Sequence, residues 1–259
     1  MIKKVKEIYN YREMVSGLIH RDLRGKYKAS VLGFLWTFLN PLFQLAVYTL
    51  LFSVIMRSGI EQFYIFLFVG LVPWTFFSSC VSGGAACVIN QENLIKKIYF
   101  PRIILPIAYV SSAFVNMLLT FLVIFAVLFI SGFGINLLAL CFLPVIMIVE
   151  YVLALGICML TSALTVYFRD LEYILGIVAM AWMYLTPILY TTDMIPKQFR
   201  GLFGLNPMAP VIMAYQQVLY YKQVPDISTL VQAVLIGFVA LLAGSISFET
   251  LQKKFVEEL

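Results

Sequence analysis

The stretch that decides the fold runs from Ala29 to Met56 and reads ASVLGFLWTFLNPLFQLAVYTLLFSVIM. These 28 residues contain no Asp, Glu, Lys or Arg, whereas the 28 residues before them contain eight Lys and Arg. As a helix rising about 1.5 Å per residue, the stretch is about 42 Å long, more than the roughly 30 Å of hydrocarbon in a bilayer. Lys and Arg concentrate on the cytoplasmic side of membrane helices. The junction therefore predicts a chain that begins in the cytoplasm and enters the membrane.

The composition of the whole chain points to the same class. Charged residues make up 12% of the sequence and hydrophobic residues 62%, with a mean hydropathy of +0.95. Soluble domains carry about 25% charged residues, so a soluble core is excluded. Five further charge-free runs follow the first: Phe63–Ile89, Ile103–Val149, Tyr151–Phe168, Tyr173–Thr192 and Ile227–Phe248.

The run that begins at Ile103 is too long for one transmembrane helix. It contains the turn-forming cluster SGFGIN at residues 131–136, where we expect one helix to end. The next helix then continues through Glu150 to Phe168. The sequence therefore predicts an all-α membrane protein with six transmembrane helices in a single domain, residues 1–259.

The distribution of basic residues tests this count. Fourteen of the 18 Lys and Arg residues fall in loops that six helices place on the side of the N-terminus, and four fall on the other side. Because cytoplasmic loops are enriched in these residues, both termini are expected in the cytoplasm. The net charge of +5 follows from this orientation, and no nucleic-acid-binding motif accompanies it. The expected cytoplasmic segments are 1–28, 90–102, 167–172 and 249–259, and the external ones are 57–62, 131–136 and 191–226.

Residues 1–28 carry an apolar stripe as well as basic side chains. Ile8, Tyr11, Val15 and Leu18 recur at helical spacing among charged residues. This pattern is typical of an amphipathic helix at the membrane surface. A solvated segment that only orients the chain is the alternative.

A second amphipathic segment lies in loop 90–102. Glu92 and Lys96 are four residues apart, as in a helical ion pair, and Leu94 and Ile98 would share one helical face. A short helix with an apolar face in the cytoplasm indicates docking to a partner protein. A plain interfacial loop is the alternative.

The longest external segment, 191–226, has no charged residue from Gly201 to Tyr221 and is interrupted by Gly and Pro. Two short re-entrant helices before the last span, residues 199–205 and 211–221, fit this pattern, because interrupted apolar segments in membranes line pathways. A seventh span is the alternative, and it would place the C-terminus outside.

The sequence lacks the motifs of catalysis and cofactor binding. It has no G-x-x-x-x-G-K-[ST] phosphate loop, so we expect no ATP, Mg²⁺ or other cofactor in this chain and no enzyme activity of its own. His20 is the only histidine, and the four cysteines lie in apolar runs without a C-x-x-C pair, which indicates small buried hydrophobic residues and no metal site. Glu150 is the only acidic residue within a span. It is a functional candidate by default, and a structural carboxyl bonded to Tyr, Ser or Thr is the alternative.

Eight short motifs follow one another along the chain: RDLRGKYK at 21–28, SVLGFLW at 30–36, Asn40-Pro41, LIKK at 94–97, FPR at 100–102, FRDL at 168–171, TPILY at 186–190 and LNP at 205–207. In this order they resemble the polysaccharide-export ABC transporter permeases. The resemblance covers nearly the whole chain, and the ordered set is more specific than any single motif.

The resemblance implies a homodimer joined by two copies of a separate ATP-binding subunit, which holds the ATP and Mg²⁺. The substrate would be a lipid-linked glycan, such as an O-antigen or teichoic acid precursor, moved to the outer face of the bacterial plasma (inner) membrane. The N-terminal helix and residues of two loops would face the ATPases. These loop residues are Gln91, Glu92, Leu94, Ile95, Lys96, Lys97, Ile98, Tyr99, Arg169 and Asp170.

By the same resemblance, the first and fifth spans would line the substrate channel. Aromatic side chains there have an apolar body and a polar tip, which suits a sugar chain. Helix packing or anchoring at the membrane interface is the alternative for each of them. These candidates are Trp36, Tyr48, Trp182 and Tyr184.

Two other functions stay open at this point. One is a permease of the same architecture that exports a drug, haem or a small lipid. The other is an intramembrane enzyme that acts on a polyprenyl-linked sugar.

Overall fold

The predicted helical character is confirmed by a computed structural model, which describes residues 9–27, 32–51, 59–196, 198 and 200–259. Every regular element in these residues is a helix, with short 3₁₀ turns between some of the α-helices. The chain is therefore an all-α membrane protein. The helices are α1 Arg12–Tyr27, α2 Trp36–Thr49, α3 Phe63–Val81, α4 Glu92–Lys97, α5 Ile104–Ile130, α6 Leu137–Leu140, α7 Leu143–Tyr167, α8 Leu171–Tyr184, α9 Arg200–Gly204, α10 Ala209–Leu219, α11 Ile227–Leu251 and α12 Phe255–Glu258.

Among the described residues, four helical segments are long and apolar enough to cross a bilayer. The α8 helix has 14 residues, about 21 Å of helix, which is shorter than the hydrocarbon layer. The α2 helix also has 14 residues, and it is continued by the 3₁₀ turn Gly33–Leu35 before it and by π-helical residues 50 and 51 after it. Residues 29–31 and 52–56 of the first apolar stretch lie outside the described residues, so the total of six spans stays a prediction. The four long segments are Phe63–Val81, Ile104–Ile130, Leu137–Tyr167 and Ile227–Lys254.

Three loops predicted on the cytoplasmic side meet at one end of the bundle, which we call the α4 end. Arg102 donates a hydrogen bond to the backbone carbonyl of Gln252. The hydroxyl of Tyr167, at the end of α7, donates to the carbonyl of Leu251 at 2.9 Å. These contacts join loop 90–102, the end of α7 and the C-terminal segment, as the predicted topology requires.

The loops predicted on the other side meet at the opposite end. Lys222 lies over the ring of Phe133, with Nζ 3.9 Å from the ring centroid. The amide of Asn136 donates to the carbonyl of Lys222 at 2.9 Å, and the hydroxyl of Tyr220 donates to the carbonyl of Glu61 at 2.6 Å. The division of the loops between two ends is thus confirmed, and the orientation of the bundle relative to the cell stays a prediction.

The predicted break at residues 131–136 is confirmed. The α5 helix ends at Ile130, and Gly132 and Gly134 follow with φ of 63° and 80°, a left-handed conformation that favours glycine. The side chain of Asn136 then accepts hydrogen bonds from the backbone N–H groups of Leu138 and Ala139. This N-cap starts the next helical segment.

Two short helices precede the last long helix, as predicted. The α9 and α10 helices begin and end within two residues of the expected boundaries, although Phe199 lies outside the described residues. The 11 residues of α10 extend about 16 Å, which is too short to cross the hydrocarbon and argues against a seventh span. The depth of both helices in the membrane stays a prediction.

The α3 helix forms the centre of the bundle. Fifteen of its 19 residues are buried, and it contacts α2, α5, α7, α8 and α10. Because α3 is apolar on every side, its sequence has no polar face to direct toward water or a lumen. Its position is therefore set by packing against neighbouring helices.

The α1 helix lies against α5. Leu18 is buried, and Tyr11 and Val15 are half-buried against the same core. Three residues of the predicted apolar stripe thus share one face, and Ile8 lies outside the described residues. The amphipathic helix is confirmed for residues 12–27, with protein covering part of its apolar face.

The closest helix pair is α7 with α11. Gly156 faces Gly244 so closely that a Cβ atom on either glycine would collide with the backbone of the other helix. Small residues permit such close approach in membranes, where van der Waals contact drives much of the association between helices. The two long helices are therefore in contact backbone to backbone at this crossing.

Candidate functional site

The α4 helix is anchored on the core and exposes its C-terminal end. Ile95 is buried and Leu94 is half-buried against the core, whereas 56% of Ile98 and 90% of Tyr99 are exposed. The helix stops at Lys97, and Ile98 has an extended backbone. The helix is shorter than the predicted segment 91–99. The exposed apolar residues of this segment are Ile98 and Tyr99, just after the helix, rather than Leu94 with Ile98.

The predicted ion pair of α4 is present. Lys96 Nζ donates to Glu92 Oε1 at 2.6 Å. The hydrogen bond and the positive charge of Lys96 lower the pKa of Glu92, and the charge of Arg169 lowers it further. Because Arg169 and Asp170 form the exposed turn between α7 and α8, this interaction places both predicted partner-facing loops on one surface of the α4 end.

A short turn connects this surface to the interior. The 3₁₀ turn Gly83–Cys87 lies between α3 and α4, and it packs against both α7 and α8. The turn therefore connects α4 with the helix that carries two of the candidate channel aromatics, Trp182 and Tyr184.

Trp182 is held by the protein itself. Its indole N–H donates to Asn206 Oδ1 at 2.9 Å, and its ring lies edge-on to Trp74 and Phe77, with centroids 6.4 and 5.4 Å away. The same Asn206 donates to the carbonyl of Leu185 at 3.0 Å. Asn206 thus fastens the end of α8 to the turn before α10, a role that its place in the LNP motif did not reveal.

The other three aromatic candidates lie in two places. Tyr184 is 57% exposed at the end of α8, and it lies near Tyr48 of α2. Trp36 instead lines a separate cavity of about 180 Å³ between α2, α3 and α5, together with Asn40 and Thr75. The structure therefore brings Tyr48 and Tyr184 together and places Trp36 and Trp182 elsewhere.

The exposed face of α8 carries a continuous apolar stripe. Four side chains at helical spacing are 57–76% exposed. In a membrane such a stripe faces lipid or another helix. The residues are Tyr173, Ile177, Met180 and Tyr184.

Glu150 has a tyrosine as its hydrogen-bond partner, which agrees with the structural alternative given in the sequence analysis. It has no exposed surface, and the hydroxyl of Tyr215 donates to its Oε2 at 2.7 Å. Its Oε1 has no hydrogen-bond partner among the described residues. Phe121 packs on Tyr215 with ring centroids 5.6 Å apart, so the pair is enclosed by apolar side chains.

The cysteines are buried with one exception. Cys80, Cys87 and Cys158 are buried as expected, and the prediction is wrong for Cys141, which is exposed next to the short helix α6. In the part of the chain that the structure describes, no three His, Cys, Asp or Glu side chains are grouped to hold a metal ion.

Comparison with known proteins identifies the family. The ABC-2 type transporter family matches residues 14–220, and the chain belongs to this family. It is 34% identical over 261 residues to the O-antigen export system permease protein RfbA of Myxococcus xanthus, covering 100% of both chains. It is also 34% identical to an RfbA of Klebsiella pneumoniae over 93% of each chain. The polysialic acid transport protein KpsM of Escherichia coli is 22% identical over 76% of this chain and 78% of its own.

Proposed function

We propose that this chain is the transmembrane subunit of an ABC exporter that moves a lipid-linked polysaccharide across the bacterial plasma membrane. The observation that carries the proposal is the full-length similarity to permeases named for O-antigen export. The more distant similarity to a polysialic acid transport protein supports a polysaccharide as the substrate class. The long apolar helices of this chain, with one loop surface at the α4 end, support a transport role.

Two copies of a separate ATP-binding subunit would supply the energy. Their docking surface would be the α4 end, where Ile98 and Tyr99 are exposed and where Glu92 of α4 interacts with Arg169. ATP and Mg²⁺ would be held by the partner, and the cytoplasm would lie on this side. Exposed apolar and aromatic side chains that directly follow a short helix fit a groove on a partner protein.

The Gly83–Cys87 turn would carry the motion inward. It follows α3, precedes α4 and contacts α8. A push on α4 would therefore shift the end of α3 and the neighbouring α8 helix. Rigid elements with two discrete arrangements are the physical means by which distant sites are coupled.

The glycan path would form in a homodimer, between copies of the face that carries Tyr48 and Tyr184. The exposed apolar stripe of α8, which ends at Tyr184, would belong to this face. A phenol ring offers a sugar both an apolar face and a hydroxyl that can donate or accept a hydrogen bond. Weak repeated contacts of this kind suit a polymer that must slide and be released.

Deletion of the gene tests the proposal. The lipid-linked glycan should accumulate in the inner leaflet and disappear from the cell surface, and the wild-type gene should restore it. The matched control is a strain that lacks ATP hydrolysis in the partner subunit, which should accumulate the same lipid. Normal surface glycan together with accumulation of a drug, haem or a small lipid would instead favour a permease of the same architecture that exports one of these compounds.

A further inference from the structure

A cavity with both polar and apolar walls lies at the α4 end and has no role in the function proposed above. Its volume is about 390 Å³, within the range of small-molecule sites. It opens between α1, residues 87–91 and α5. The polar side chains that line it are Arg21, Asp22, Asn90, Gln91, Tyr109 and Ser112.

The floor of the cavity holds an unsatisfied hydroxyl. Ser112 is 2% exposed, and its Oγ has no hydrogen-bond partner among the described residues. A buried polar group without a partner costs free energy that a bound ligand would recover. The inner end of the cavity is therefore a hydroxyl that a hydrogen bond to a bound ligand would stabilise.

The cavity also reaches into the membrane. Ser112 lies about 12 Å along α5 from its first residue, at 1.5 Å per residue. The 27 residues of α5 extend about 40 Å, the thickness of a bilayer with its headgroups. The floor thus lies below the headgroup layer, whereas α1 covers the mouth. A ligand that fits this depth is amphipathic.

The mouth carries one charge of each sign. Arg21 Nη2 and Asp22 Oδ1 are 3.6 Å apart. These two are the charged residues of the lining, so its net charge is zero. A purely anionic ligand would meet the carboxylate of Asp22, and a purely cationic one would meet Arg21. A ligand that carries both charges close together satisfies both side chains, because guanidinium matches phosphate and carboxylate accepts from an ammonium group.

We propose that this cavity binds the headgroup of a zwitterionic phospholipid with a primary amine, of the phosphatidylethanolamine type. Its phosphate contacts Arg21 and its ammonium group contacts Asp22. A glycerol ester oxygen accepts a hydrogen bond from the Ser112 hydroxyl below, whereas the Tyr109 hydroxyl already donates to the backbone carbonyl of Ser79 at 3.3 Å. The lipid joins α1 to the segment that leads into α4, whatever substrate is exported.

Native mass spectrometry of the purified full-length chain tests the assignment, with titration of three phospholipids of the same acyl chains. The probes are phosphatidylethanolamine, phosphatidylcholine and phosphatidylglycerol. Phosphatidylethanolamine should bind about ten-fold more tightly than either of the others, because each of them lacks the N–H donors that meet Asp22. Equal affinities for all three lipids would overturn the proposal.

Two variants locate the site. Asp22→Asn should abolish the preference for phosphatidylethanolamine over phosphatidylglycerol, whereas Glu172→Gln, which changes an exposed acid outside the cavity, should keep it. Ser112→Ala should weaken binding of all three lipids and raise the unfolding temperature of the lipid-free protein, because it removes the unsatisfied hydroxyl. The control Ser245→Ala, at a half-buried site outside the cavity where the hydroxyl already donates to the carbonyl of Leu242, should change neither quantity. An unchanged preference in Asp22→Asn would contradict the assignment.

The assembled exporter distinguishes the lipid from a protein occupant. Phosphatidylethanolamine should co-purify with the permease–ATPase complex and be lost from the Asp22→Asn complex. A complex without bound lipid, in which Gln91→Cys cross-links to the ATPase, would mean that the cavity receives a partner side chain and that the lipid assignment is wrong.

Discussion

Tyr215 and Glu150 form a buried hydrogen bond between α10 and α7. The phenol donates to Oε2 at 2.7 Å, and both side chains have no exposed surface. The bond ties a short helix of the segment before α11 to one of the long helices. We therefore expect the carboxyl of Glu150 to stabilise the fold, and we expect its replacement to affect stability more than export.

Glu150→Gln should be mild. The amide oxygen can still accept from Tyr215, so surface glycan per unit of inserted protein should stay close to the wild-type value. Tyr215→Phe should destabilise the protein by about 1–3 kcal/mol, because the carboxyl then loses its hydrogen-bond partner. Thermal unfolding in detergent measures this change, and Tyr173→Phe, at an exposed hydroxyl, is the control. Complete loss of export in Glu150→Gln would favour a proton-linked or enzymatic role instead.

The aromatic candidates should separate into two classes. Tyr184→Ala should reduce glycan export without changing the unfolding temperature, because the side chain is 57% exposed. Trp182→Phe should lower stability by about 1–2 kcal/mol, because Asn206 loses a donor in a nearly buried site. Export assays and thermal unfolding on the same preparations compare the two effects. Full export in both Tyr184→Ala and Trp36→Ala would remove these aromatics from the glycan path.

The α4 helix should be required for assembly with the ATPase. Ile98→Asp with Tyr99→Ala should leave membrane insertion normal and abolish co-purification of the ATPase, because a charge enters the proposed apolar contact without a partner. Ile98→Val is the matched control and should assemble normally. Leu94→Asp is a less informative change, since Leu94 packs on the core and its replacement would also destabilise the fold. Normal complex formation by the double variant would show that this surface is not the docking site.

Cysteine labelling should place the two ends of the bundle. In a cysteine-free background, Leu259→Cys should be protected from a membrane-impermeant reagent in intact cells, and Gln198→Cys should react. The contacts of Arg102 and Phe133 with different loop groups require opposite results at the two ends. Lys3 is expected to behave like Leu259, although it lies outside the described residues. Labelling of Leu259→Cys from outside would overturn the six-span topology.

The elements that could be predicted have local signals. Turn-forming residues ended α5 near Gly132, and Gly and Pro separated α9 from α10. Both signals act through backbone conformation within a few residues, so they can be read without the fold. The Glu92–Lys96 pair follows from helical spacing in the same way.

The sequence could not predict which aromatic side chains face protein and which are exposed. A membrane helix is apolar on all sides, so no amphipathic period indicates which residues face protein and which face lipid. Trp182 and Tyr184 are two positions apart on α8, yet one bonds to Asn206 and the other is exposed. Residues two positions apart lie on opposite sides of a helix, and the turn at Asn206, 24 residues along the chain from Trp182, decides which side meets protein.

The crossing of Gly156 and Gly244 restricts how the exporter can move. Two backbones in direct contact leave no room for a side chain to pass, so α7 and α11 cannot slide past each other by one helical turn. They must travel through the transport cycle as one rigid body. Any opening for a polymer must then come from displacement of the other helices relative to this rigid pair.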